Sequence, residues 1–318
     1  MLTASAGNTP EFRRTIYNIG VSRNYYTCCS ALSVYEYSNS KTSKTKFTYT
    51  PCLLSSCKNV ADAAPAPATL GNKSDFQRGS YSTEEEADNV VDAAFLSRLS
   101  SASRARANVF ELAYCNDWDY FFTGTIDPNK YDRTDLKKFR KDLAQFIRDY
   151  RKKTGYATKY VIVPELHSDK KCWHVHGFLS NIPDCDVPEF HLGDRMGFYI
   201  AKKVKEGMSV RNWIPYANKF GFCDLEPVGN QEAACNYVTK YISKSLLDDE
   251  QSELYNHRYF ASQGLNRRKL LLKVYGEEAD EMFNDIFSPE EMAVCEQGNK
   301  DRFEKYGINS KIYVKWES

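Results

Sequence analysis

Apolar positions return at helical spacing through the middle of the chain. Between Arg133 and Lys153 the residues Leu136, Phe139, Leu143, Phe146, Ile147 and Tyr150 mark one face of an amphipathic helix, and Thr134 is a suitable N-cap. Val91, Phe95 and Leu99 predict an earlier helix over 88–112. The segment DYFFTGTID, Asp119 to Asp127, is aromatic and threonine-rich, which predicts a strand ended by Pro128 and Asn129. Tyr160 to Pro164 and Lys171 to Leu179 predict two strands joined by a tight turn. Residues 194–210 mix helix and loop signals. Gly229 and Asn230 predict a turn that opens a helix over 231–247. Leu270 to Val274 is an apolar run, and Ile312 to Val314 reads as a last short strand. The first 88 residues are poorly patterned and are expected to be irregular, with a Pro-, Ala- and then acid-rich linker near 60–88.

Composition narrows the class. At 318 residues, 42% hydrophobic and 27% charged, the chain is an ordinary globular one, long enough for one large domain or two small ones. No apolar run approaches the ~18 residues of a membrane span, and no signal peptide is read at the N-terminus, so a cytoplasmic protein with no membrane partner is expected. The net charge of +1 means that any nucleic-acid contact would need clustered basic residues. The polar face of the 133–153 helix offers Lys137, Arg140, Lys141 and Arg148; a solvated face is the simpler reading, direct DNA contact the other. The 10 cysteines are expected to be reduced thiols. Cys28, Cys29, Cys52 and Cys57 lack the paired hooks of a zinc site. There is no GxxxxGK[ST] motif and therefore no encoded P-loop motor.

The first chemical signal is Trp173-His174-Val175-His176-Gly177. On a strand His174 and His176 point one way, and Trp173, Val175 and Leu179 the other. With a turn centred on Asp169 and Lys170, Glu165 falls opposite His174 and on the same face. Two imidazoles and a carboxylate suit a divalent cation with open positions. His167 is a rival ligand or a supporting one, and a plain polar hairpin face is the simple alternative.

The second signal is Asn236-Tyr237-Val238-Thr239-Lys240-Tyr241-Ile242-Ser243-Lys244. Tyr237, Lys240, Tyr241 and Lys244 fall within an arc of about 100° of a helix, with Cys235, Val238 and Ile242 on a neighbouring arc that can face a core. A phenol loses its proton near pH 10. Nearby cations favour phenolate and would stabilise charge growing on a phosphate. Two such phenols one turn apart could alternate as nucleophiles. An ordinary amphipathic helix with an aromatic pair fits the same letters.

Together these segments resemble a known family. WHVHG resembles the histidine motif of HUH endonucleases. Phe121 to Thr125, FFTGT, resembles the first motif of their rolling-circle replication initiators. Tyr237 to Lys244, YVTKYISK, resembles the two-tyrosine motif of microvirus and small-plasmid initiators. The motifs stand in the family's order, and Pro164-Glu165 resembles its acidic position. Gly124 departs from the pattern, which often has a larger residue there. The resemblance covers roughly 105–250 and implies an α+β domain, a central antiparallel sheet with flanking helices of the RNA-recognition type. An N-terminal extension, 1–104, and a C-terminal one, 251–318, would flank it.

Carried over, the resemblance implies a site-specific nick in single-stranded origin DNA, a 5′-phosphotyrosine link, a free 3′-hydroxyl, and rejoining of the displaced strand. Tyr237 would initiate and Tyr241 terminate, with Lys240 and Lys244 as electrostatic helpers. Glu165, His174 and His176 would hold Mg²⁺ or Mn²⁺, and Thr123 and Thr125 would support fold or DNA backbone. A host helicase and polymerase would be the further partners. Relaxases and two-tyrosine transposases share such a site. A non-catalytic single-strand nucleic-acid binder is the alternative from another class; it would need neither tyrosine nor metal.

Overall fold

The computed structural model describes residues 30–52, 101–167, 171–248, 258–306 and 311–317. The linker near 60–88, the turn at 169–170, the first part of the helix expected over 88–112, and Cys28, Cys29 and Cys57 lie outside the described residues. The protein is α+β, with two antiparallel sheets and several helices. It divides into two compact units, one of them spanning Arg98–Lys269 with residues 37–43.

That unit holds a helix, α1, over residues 101–114, then β3 (Tyr120–Thr125), α2 (Leu136–Thr154), β4 (Lys159–Leu166), β5 (Trp173–Ser180), α3 (Phe198–Lys205), α4 (Ile214–Lys219), β6 (Cys223–Pro227), α5 (Gln231–Asp248) and β7 (Phe260–Ala261). The strands form one antiparallel sheet in the order β6-β3-β5-β4-β7.

The alternation of side chains divides the sheet's residues between two cores. Phe122, Ile162, Val175, Leu179 and Leu225 join Phe139, Leu143 and Ile147 of α2 and the rings of Trp213, Tyr216 and Phe220 in one cluster. Each such side chain contributes about 1.5–3 kcal/mol by leaving water. Val161, Val163 and Phe178 are fully buried on the other face, and α5, whose Cys235, Val238 and Ile242 are also fully buried, packs against β4. The sheet is thus covered on both sides, and α5 is the helix that covers the histidine face.

Gly124 belongs to the α2 side. A Cβ there would lie 2.6 Å from the Tyr216 hydroxyl and 2.5 Å from the Phe122 ring. The departure from the family's usual larger residue therefore has a packing cause, since Tyr216 fills that volume.

The N-cap of α2 is Asp135, which accepts from the Lys138 amide at 2.9 Å, and not Thr134 as expected. The Thr134 hydroxyl instead donates to Asp132 at 2.7 Å, so it is unavailable one residue early. Gly155 ends the helix in the left-handed conformation, φ 75°, where a glycine carries no Cβ penalty. Asp135→Ala is expected to cost about 1 kcal/mol in thermal or chemical unfolding, and Thr134→Ala markedly less.

The second unit overturns the expectation that the first 88 residues are irregular throughout. Residues Ala31–Ser38 and Ser43–Thr50 are strands β1 and β2. They lie centrally in a sheet of order β8-β1-β2-β9, whose outer strands are β8 (Lys269–Tyr275) and β9 (Tyr313–Glu317). Two helices, α6 (Glu277–Ile286) and α7 (Pro289–Tyr306), lie between those outer strands in the chain. The core here is Leu32, Tyr49, Val274, Ala279, Phe287 and Tyr313. Tyr49 stacks on Phe283 at 4.0 Å and donates to Asp280 at 2.6 Å. No helix among the described residues is long and apolar enough to cross a membrane.

Candidate active site on the histidine face

The register of the central sheet arranges the polar side chains in two rungs. Glu165 pairs with His174, and His174 with Thr125; Val163 pairs with His176, His176 with Thr123, and Thr123 with Asp224. Side chains on a rung share a face. Both histidines, both threonines, Glu165 and Asp224 therefore project opposite to the α2 core, beneath α5.

Glu165 and His176 are in direct contact, Oε2 to Nε2 at 2.8 Å, and Thr123 Oγ1 lies 3.4 Å from His176 Nδ1. His174 stacks on His167 at 4.9 Å. Burial, then the neighbouring His167 and His176, push the His174 imidazole below its usual range. That favours the neutral ring that a metal ligand requires.

Asp224 was not singled out from the sequence, although the alternation Cys223, Leu225 against Asp224, Glu226 within CDLEP carried the signal. Its carboxyl is raised by burial, against the pull of Lys203. Lys203 of α3 reaches Glu226 at 2.7 Å and Asp224 at 3.7 Å. Burial opposes the lysine's charge, and these two carboxylates more than offset it.

The two tyrosines differ in setting. The Tyr241 ring lies flat on His176, centroids 4.0 Å apart and planes within 4°. Tyr237 stands edge-on to Tyr241 at 5.3 Å and to Phe121 at 5.6 Å, and is 47% exposed. The ammonium of Lys240 lies 5.8 Å from the Tyr237 ring. Burial above all, then the Tyr237 phenol, drives the Tyr241 hydroxyl well above the ordinary tyrosine range, and Glu165 and Asp224 add to it. The side chain of Lys244 lies outside the described residues.

The chemistry of the donors fits a divalent cation: two imidazoles and a carboxylate on one face, one imidazole held neutral. They are not gathered as a closed ligand set, since no three His, Cys, Asp or Glu side chains among the described residues form a metal-holding group. Glu165 and His176 bond to each other instead.

Comparison with known proteins bears on this same segment. Residues 119–246 match the family model of the replication-associated protein ORF2. The match runs from the start of β3 into α5, so it contains both tyrosines, both histidines, Glu165 and Asp224. This part of the chain is similar to replication-associated proteins. The chain matches none of the curated proteins and none of the solved structures with which it was compared.

Proposed function

We propose that this protein is a rolling-circle replication initiator that nicks single-stranded origin DNA through a tyrosine and later rejoins it. The observation that carries the reading is the seating of a two-tyrosine helix directly over the histidine face, with Tyr241 stacked on His176 at 4.0 Å and Tyr237 beside it at the exposed rim. The similarity to replication-associated proteins over the same residues supports it.

In the first step the Tyr237 oxygen attacks the scissile phosphorus in line with the bond to the 3′-oxygen. The new P–O(Tyr) bond forms as the P–O3′ bond breaks. The phenol proton leaves to solvent, and the departing 3′-oxygen takes one up, giving the 3′-hydroxyl from which a polymerase extends. The phosphodiester's free energy is retained in the 5′-phosphotyrosine. Lys240 assists by offsetting the negative charge that gathers on the phosphate and on the attacking oxygen. Tyr241 serves the second transfer, when the regenerated origin is cut and the displaced strand is rejoined by attack of its 3′-hydroxyl on the phosphotyrosine.

Glu165, His174 and His176 would hold Mg²⁺ or Mn²⁺, with His167 behind His174. When bound, such an ion supplies Lewis-acid polarisation of a phosphoryl oxygen and a fixed point for the strand. A host helicase and polymerase complete the process, because the chain encodes no P-loop motor. The work is expected in the cytoplasm of a bacterial host.

The test is a denaturing gel of labelled single-stranded origin DNA incubated with protein and Mn²⁺. A protein-linked band is the expected result; binding with neither cleavage nor linkage, across candidate origins of its own replicon, would leave a single-strand binding module as the better account. EDTA is expected to remove the band, and Mg²⁺ or Mn²⁺ to restore it. His176→Ala is expected to lower the rate by more than about a hundredfold, since losing a group that merely supports a metal ligand already costs about 10–100-fold. A full-strength band in EDTA would refute the metal's role.

A further inference from the structure

We infer that the outer face of α3 is a stacking ledge for the unpaired bases next to the scissile phosphate, an inference that rests on the nicking function proposed above. Two large rings stand in water there: Phe198 and Tyr199 are each 79% exposed. They touch each other edge to face at 5.7 Å, so they present one broad aromatic surface. α3 has no buried residue at all, and two bare rings of this size incur a hydration cost that an unpaired base would relieve.

The helix wheel shows what accompanies the rings. At about 100° per residue, Phe198, Lys202 and Lys205 share a narrow arc, and Tyr199 lies beside it. Ile200 and Val204 occupy the opposite side, where they are half-buried. Aromatic rings interleaved with cations are the chemistry of single-strand binding: the rings stack on bases of any sequence, and the lysines meet the backbone. Over residues 194–206 Arg195, Lys202, Lys203 and Lys205 stand against Asp194 and Glu206, a local excess of cations in a chain whose net charge is only +1.

The ledge is continuous with the site. Lys203, one turn beyond Tyr199 on the same flank of the helix, bonds to Glu226 at 2.7 Å. Glu226 pairs with Phe121 on the next strand, and Phe121 meets Tyr237 at 5.6 Å. Strands lie ~4.8 Å apart, so the ledge begins about two strand spacings from the initiating phenol, a few nucleotides along an extended strand. A strand lying across the histidine face would run onto it over the β6 edge.

The experiment uses the full chain carrying Tyr237→Phe and Tyr241→Phe, in EDTA, so that chemistry is absent. The probe is an oligothymidylate with one 2-aminopurine, read by anisotropy for affinity and by quenching for stacking. Adding Phe198→Ala with Tyr199→Ala is expected to weaken binding about tenfold or more and to abolish the quench, with unchanged thermal melting because neither ring supports the core. Phe198→Tyr with Tyr199→Phe keeps both signals. Lys202→Gln with Lys205→Gln lowers the slope of log affinity against log salt by about 1.4.

The inference is overturned if the alanine pair binds as tightly as its parent, if affinity falls with the quench intact, if a duplex of the same DNA binds equally well, or if the parent does not bind the oligonucleotide. The linked-DNA gel with unmutated tyrosines separates the two readings. No linked DNA together with a quench lost in the alanine pair keeps the ledge and removes the nicking. Linked DNA with an unchanged alanine pair does the reverse.

Discussion

A protein carrying Tyr237→Phe and Tyr241→Phe together is expected to bind single-stranded DNA normally and to yield no protein-linked product, a loss of at least about a thousandfold. Both changes remove only a hydroxyl. The rings that stack on His176 and stand against Phe121 stay in place, so a loss of fold cannot imitate the effect. The single variants should differ because the two phenols do. Tyr237 is the accessible one, with Lys240 beside its ring. Tyr241 is held protonated by burial and by its neighbour's hydroxyl. Tyr237→Phe is therefore expected to stop the first cleavage, whereas Tyr241→Phe should still form the first link and fail in the rejoining step. A gel that resolves linked from rejoined strands reads both. Persistence of linked DNA in the double variant would move the nucleophile off α5 altogether.

How far the site could be read from the sequence depended on periodicity. The Glu165–His174 pairing followed from a hairpin and a period of two, and those residues are register partners in the structure. The burial of Cys235, Val238 and Ile242 followed from a period of 3.6 on α5. What neither period encodes is the partner across space. β1 and β2 carry Ser, Thr, Lys and Tyr at most positions, and few of their residues are buried; the rest of their sheet comes from residues more than 200 positions later, β8 and β9. A half-exposed hairpin of that composition looks like loop until those strands are known. β6 is only five residues long, too short for its alternation to stand out, and Asp224 was missed with it. The α2 cap was misplaced because Asp132, Thr134 and Asp135 are all competent caps, and only the turn geometry chooses among them.

α3 was hidden for a related reason. Its letters, FYIAKKVK, read as an amphipathic helix whose apolar residues belong to a core. The structure shows the two largest of them in water and a lysine turned inward to two carboxylates. A lysine at 31% side-chain exposure bridging two acids fixes the helix to the sheet edge with little apolar burial. Such an anchor leaves the aromatic side free, an arrangement that costs stability unless the exposed rings have a use.

The largest effect on stability is expected at Gly177, the last residue of the histidine motif. A Cβ built there would lie 1.9 Å from the Val161 carbonyl oxygen, 2.8 Å from Ile162 Cα and 2.9 Å from the Val161 carbonyl carbon. All three are backbone atoms of β4, so no side-chain rotation relieves the overlap. Gly177→Ala can be accommodated only by parting β4 from β5, which stretches the ladder holding Glu165 against His174 and His176. The cost is expected to be about 3 kcal/mol or more, a fall in melting temperature of roughly 6–12 °C. Gly124→Ala provides the contrast. Its Cβ would also meet atoms closer than 3.0 Å, but these are the ends of the Phe122, Tyr216 and Val175 side chains, which can shift, and about 1–2 kcal/mol is expected. Thermal unfolding of the two variants beside wild type decides it. If Gly177→Ala melts with wild type, the close approach of β4 and β5 at the histidine motif is not a requirement of the fold. If it melts as expected, the glycine that follows the second histidine is there because two strands must touch for a carboxylate and two imidazoles to share one face.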